Sequence, residues 1–286
     1  MVVGVYIVSK QNKKAKMVVT WKDNFILSNI WPTFGSPEIF VMSQWQRDKQ
    51  TPSYLYVLLR VAIFLTFFTI WILSYTMESS SNKPKWPLYL TNWGLTVCTI
   101  QSFLSSLMLI CAILGTNVLD NSELTQSALK AYKTYWITNS MATTIAFTIS
   151  FVYWTLIHQP EYWSIMNFMV HGMNAILMII DFCAVAHPVR FLHFVYPVGL
   201  AFVYVTMTAI FYACGGTAKN GDQFIYPILK WSTPGITVAY CIAIMILIFF
   251  IHTLTFFLYK GKVKIAELCF GEPESDSFSD TAMQML

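Results

Sequence analysis

The sequence predicts an all-α fold, a polytopic membrane protein built as a bundle of six transmembrane helices with both termini in the cytoplasm. Two observations carry that prediction. Hydrophobic residues make up 56% of the 286 positions and charged residues only 11%, whereas soluble domains run near ~25% charged. The apolar residues also fall in six runs, each near the ~20 residues that cross a hydrocarbon core. Three regions follow: a basic cytoplasmic arm over residues 1–50, the six-helix domain over 51–260 and an acidic cytoplasmic tail over 261–286.

In the arm, Lys10, Lys13, Lys14, Lys16 and Lys22 are interleaved with Val18, Val19, Trp21 and Phe25. That pattern suits either a solvated arm or a segment held against anionic headgroups, with Trp21 and Trp31 at the interface. Pro32, Gly35 and Pro37 break any long helix there. The first span is Tyr54 to Tyr75, and Arg60 within it reads as an anchor that reaches back to the headgroups along its aliphatic stem. A polar loop, Glu78 to Pro87, leads to the second span, about Leu88 to Leu114. Thr91, Gly94, Cys98, Ser102 and Ser105 share one face of it at ~100° per residue, and small residues on one face let helices approach closely in lipid.

Residues 115–131 form a loop, and the third span runs from about Tyr132 to Ile157. Its Thr138, Ser140, Thr143, Thr144 and Thr148 are expected to bond their own backbone or a neighbouring helix. The fourth span, Trp163 to Val185, ends at the His187-Pro188 break. The fifth is Phe191 to Cys214, with Pro197 near its start as a source of a kink unless the helix begins later. The sixth opens on Pro234, a favourable first helical residue, and is expected to stop at Lys260, Lys262 and Lys264. The tail alternates Glu272, Glu274, Asp276 and Asp280 with serines and reads as disordered.

With an even number of spans the termini share a side. Thirteen of the 18 Lys and Arg then fall on the terminal side and four on the other, which marks the terminal side as cytoplasmic. No internal repeat is evident, and this weighs against a secondary transporter. The small net charge of +4 gives no reason to expect nucleic acid. The six cysteines show no CxxC spacing, and the histidines are too dispersed for a metal site, so no metal and no cofactor are expected.

The fourth span holds the costliest residues. His171, Asn174 and Asp181 lie at about 0°, 300° and 280° around a helix, so one stripe should face the bundle interior because lipid cannot satisfy it. Near the cytoplasmic end Asp181 is expected to pair with Arg190, with His187 and His193 close to the same interface. At the other end, Thr91 lies about one turn below the outer surface, and His171 about two turns, roughly 12 Å, below it at 1.5 Å per residue. A shared depth allows Thr91 and His171 to act as nucleophile and general base. Asn92 or Asn174 would then donate to a developing oxyanion. The plainer alternative is interhelical hydrogen bonding.

Tyr89-Leu90-Thr91-Asn92-Trp93-Gly94 and Asp181 through Pro197, with Pro188-Val189-Arg190-Phe191-Leu192-His193-Phe194-Val195-Tyr196-Pro197 at its core, resemble the Rolling stone family. The likeness extends through Gly215-Gly216-Thr217 to Tyr226-Pro227, Trp231 and Pro234-Gly235 and covers roughly residues 50–260. It implies a multipass animal membrane protein with a role in myoblast fusion or membrane organisation. More distantly, Tyr89-Leu90-Thr91 and His171-Gly172-Met173 resemble the androgen-induced intramembrane threonine hydrolases, although Asn92-Trp93-Gly94 departs from that family's pattern. That likeness implies cleavage of lipid esters of the fatty-acid hydroxy-fatty-acid type by Thr91 and His171. Membrane lipids are the expected partners in either case, with a lipid ester as substrate in the second. The plasma membrane suits fusion and the endoplasmic reticulum suits a lipid enzyme; the sequence leaves the oligomeric state open.

Overall fold

The computed structural model describes residues 25–32, 37–47, 51–114 and 122–271. Six helices in it are long and apolar enough to cross a membrane. They are α1 (Tyr54–Thr76), α2 (Leu90–Ile113), α3 (Ser122–Val152), α4 (Ile165–Ala184), α5 (Val195–Ala213) and α6 (Pro234–Phe270). No strand occurs among the described residues; the one β-bridge joins Ser43 to Val185. The lysines of the basic arm and the acidic residues beyond Gly271 lie outside the described residues.

The expected spans agree with the helices closely, with two differences. Part of the expected 115–131 loop is helix, because α3 begins at Ser122. Lys260, Lys262 and Lys264 do not end the last helix, which continues to Phe270. Lysine is a good helix former, so charge moves the chain out of the hydrocarbon without breaking the helix. Pro197 causes no interruption because the α-helix proper begins only at Val195, after a 3-10 turn over Phe191–Phe194. Proline in the first turn removes an N–H that has no intrahelical acceptor.

Small residues set the packing, as the α2 stripe predicts. Thr91, Gly94, Cys98, Ser102 and Ser105 are all buried. A Cβ on Gly94 would come within 2.5 Å of Ile149 Cδ1 and 3.2 Å of Ile145 Cγ2, so α2 and α3 pack closely at this glycine and a side chain there would have to displace Ile149. The α3 hydroxyls behave as anticipated. Thr143 and Thr148 donate to backbone carbonyls one turn earlier. Ser140 and Thr144 instead bond His193 Nδ1 at 3.1 Å and His252 Nδ1 at 3.0 Å, tying α3 to the start of the fifth span and to α6.

The terminal end of the bundle is closed by the chain before α1. Phe40, Val41 and Met42 are buried there, and Phe40 stacks on His187 with ring centroids 5.4 Å apart. Gln44 N–H and Ser43 Oγ both donate to Ala184 O at the C-terminus of α4. Lys262 Nζ donates to Phe182 O at 2.6 Å and Val185 O at 2.7 Å. A cation on the last carbonyls of a helix satisfies groups that have no intrahelical donor and complements the helix dipole.

Candidate functional site

Asp181 on α4 does not pair with Arg190. Its partner is Arg60 of α1, whose Nη1 donates to Asp181 Oδ1, with the two side chains 0% and 1% exposed. This corrects both expectations for these residues: Arg60 is not an interface anchor but the counter-charge of Asp181. Gln101 Nε2 and Asn139 Nδ2 donate to Asp181 Oδ2 at 3.3 Å and 3.1 Å. Arg60 Nε donates to Ser105 Oγ, and Nη2 donates to Tyr135 Oη at 2.7 Å. Tyr135 Oη lies 2.9 Å from His187 Nε2. Having accepted from Arg60, the phenol keeps its O–H free to donate a hydrogen bond to an unprotonated Nε2. One ion pair thereby joins α1, α2, α3, α4 and the connection after α4.

Arg190 lies elsewhere. Its Nη1 donates to Trp31 O at 3.1 Å, and its guanidinium carbon sits 4.6 Å from the centroid of the Trp136 ring. Burial lowers its pKa to about 10. His193 is fully buried, bonded to Ser140 and edge-on to Trp136 at 4.9 Å. Burial, reinforced by the nearby charges of Lys262 and Arg60, holds His187 well below the usual histidine range, and its imidazole is neutral.

The pairing of Gln101 with Asp181 also fixes the relative depth of α2 and α4. These helices run in the same direction, and the two contact residues are 80 positions apart in sequence. Thr91 and His171 have the same separation, ten residues nearer the opposite end of the bundle. They do share a level. Both line one cavity of about 350 Å³ at the end away from the termini. Its walls come from all six helices, the connection between α1 and α2 and that between α5 and α6; Ile145, Ile149, Ile244 and Ile248 supply an aliphatic side, and Thr91, Asn92, His171, Tyr204 and Tyr226 a polar one.

Within the cavity the two members of the expected chemical pair have different partners. No hydrogen bond joins Thr91 to His171. Thr91 approaches the Tyr226 phenol, whose pKa is raised by burial while hydrogen bonding with the Thr91 side chain and backbone opposes the rise. The His171 ring stacks on Tyr153, with centroids 3.5 Å apart and planes 2° from parallel, and its Nδ1 has no hydrogen-bond partner. Both rings sit in π-helical turns, Tyr153–Ile157 and Phe168–Met173. Such wide turns re-aim side chains and recur at functional sites.

Of the two amides expected to donate to an oxyanion, Asn92 lines the cavity but commits its Nδ2 to Trp86 O at 2.6 Å. Asn174 is fully buried, outside the cavity lining, with neither amide atom hydrogen-bonded. The site also includes residues that the sequence analysis did not assign to it: Tyr153, Tyr204, Tyr226, Glu78 and Lys219. Tyr204 Oη donates to Leu88 O at 2.9 Å and so fixes α5 to the entry of α2. Tyrosines within or beside oily spans were the available signal. Among the described residues no cluster of His, Cys, Asp or Glu could hold a metal ion.

Comparison with known proteins gives one consistent result. A family model described as Protein rolling stone matches residues 16–271. The Drosophila melanogaster protein called Protein rolling stone is 32% identical over 243 residues, which cover 82% of this chain and 87% of the fly protein. No solved structure matches.

Proposed function

This chain belongs to the rolling stone family, and on that premise we propose that it works as a multipass membrane protein in cell–cell fusion, of myoblasts in particular, by organising the membrane around the fusion site. The observation that carries this reading is the length of the match: the shared sequence takes in all six helices rather than a single motif. The buried Arg60–Asp181 centre agrees with a role of this kind, since its polar groups bond one another and hold five elements together. The test is removal of the gene from the native tissue followed by a cell-mixing assay. Reduced mixing supports the role, and unchanged mixing removes it.

A second reading, hydrolysis of a lipid ester by Thr91 and His171, is favoured by the single cavity that both residues line. Against it stand the missing hydrogen bond between them, the stacking of His171 on Tyr153 and the engaged amide of Asn92. Catalytic proton transfer needs heavy atoms about 3 Å apart or one bridging water. The purified chain decides the matter when incubated with a fatty acid ester of a hydroxy fatty acid. Turnover that Thr91→Ala and His171→Ala each abolish supports the reading; absence of turnover, or equal turnover by the variants, removes it.

A further inference from the structure

The charges that line the cavity are balanced. Of the described residues lining it, Glu78 and Lys219 are the only Asp, Glu, Lys or Arg. They form a salt bridge with side chains each 23% exposed. Lys219 is further held at Tyr89: its ammonium lies 4.6 Å from the ring centroid, and its backbone N–H donates to Tyr89 Oη at 3.3 Å. Inside the cavity stand neutral hydrogen-bonding groups, Thr91, His171 and Tyr226, and beyond them the four isoleucines. Nine-tenths buried, the His171 imidazole leaves Nδ1 without a partner, and a buried polar atom of that kind is expected to find one.

We infer that this cavity holds a single-chain lipid with an uncharged, hydrogen-bonding head, of the monoacylglycerol or long-chain alcohol class. The chain lies among Ile145, Ile149, Ile244 and Ile248, and the head meets Thr91, His171 and Tyr226 beneath the Lys219–Glu78 pair. The reasoning is one of charge and volume. A carboxylate or phosphate head would need an unpaired cation, and Lys219 is already neutralised by Glu78. A cationic head would need an unpaired acid, and Glu78 is equally engaged. Burying an uncompensated charge costs far more than burying a bonded polar group. The volume of about 350 Å³ is near the lower limit of small-molecule sites. At ~30 Å³ for each water-sized unit it holds roughly a dozen such units, which seats the head and the adjoining part of one aliphatic chain, and not two chains, with the rest of the chain running out toward the bilayer. The inference rests on the cavity being a ligand site; it requires neither fusion nor hydrolysis.

The test is equilibrium binding to the full chain in nanodiscs, using tritiated monooleoylglycerol, oleate and lysophosphatidylcholine in turn. Saturable binding of monooleoylglycerol is expected, at least tenfold tighter than either charged probe. Glu78→Gln should free the Lys219 ammonium and raise oleate affinity about tenfold, while Ala201→Phe, which fills the wall, should abolish monooleoylglycerol binding. Oleate bound as tightly as monooleoylglycerol by the natural chain, an unchanged preference in Glu78→Gln, or no saturable binding of any probe would each overturn the inference. Should Ala201→Phe aggregate on a sizing column, Glu78→Gln at its partly exposed position still decides. Because binding is read without turnover or cells, neither a failed fusion assay nor a failed hydrolysis assay changes this result.

Discussion

Arg60 and Asp181, separated by 121 residues in sequence, meet as a fully buried ion pair at the junction of four helices. Neither charge has water to fall back on. Removing one partner strands the other, and that typically costs ~3–5 kcal/mol, whereas replacing both with apolar residues of similar volume is often neutral. Asp181→Asn and Arg60→Met are each expected to lower the detergent-solubilised unfolding temperature sharply. Arg60→Met combined with Asp181→Leu should be more stable than either single variant. A double variant no better than the worse single one would show that Gln101, Asn139 and Tyr135, rather than the stranded charge, set the cost.

Lys262→Met removes the ammonium from the carbonyls of Phe182 and Val185 while keeping much of the aliphatic stem. Loss of hydrogen bonds from a charged donor to buried acceptors is worth about 1–3 kcal/mol. The expected outcome is a lower unfolding temperature, with faster hydrogen exchange confined to the last turn of α4. Exchange that changes equally throughout the chain would refute a local capping role.

Gly94→Val should separate α2 from α3, because even a Cβ at this position meets Ile149 Cδ1 at 2.5 Å. Overpacking of this kind costs ~1–3 kcal/mol. Pairing it with Ile149→Ala should recover part of the loss. Absence of recovery would mean that the clash lies with backbone and not with that side chain.

His187 gives a pH dependence with a definite sign. Its native pKa is depressed by burial and by Lys262 and Arg60, so the unfolded chain takes up the proton first. Its contribution to stability is present above the unfolded value of about 6.5 and is lost as pH falls below it. Comparing unfolding temperatures at pH 7.5 and 5.5, the natural chain should lose more on acidification than His187→Gln. Equal losses would assign the acid sensitivity to other groups.

The six spans, the small-residue face of α2 and the common level of Thr91 and His171 were all legible in the sequence. Each follows from properties carried by consecutive residues: apolar length, the angular period of a helix and its rise per residue. Partnership was not legible in the same way. Asp181 has Arg190 nine residues away, yet it pairs with Arg60 because the inward face of α4 meets α1, whereas Arg190 lies past the helix end, over Trp136. Nor did composition indicate that Lys262 would turn inward to cap α4, that two π turns would stack Tyr153 on His171, or that Lys219 would be neutralised at the cavity by Glu78. Period and length act along one helix; which side chain meets which depends on how several helices pack, and only the tertiary structure decides that.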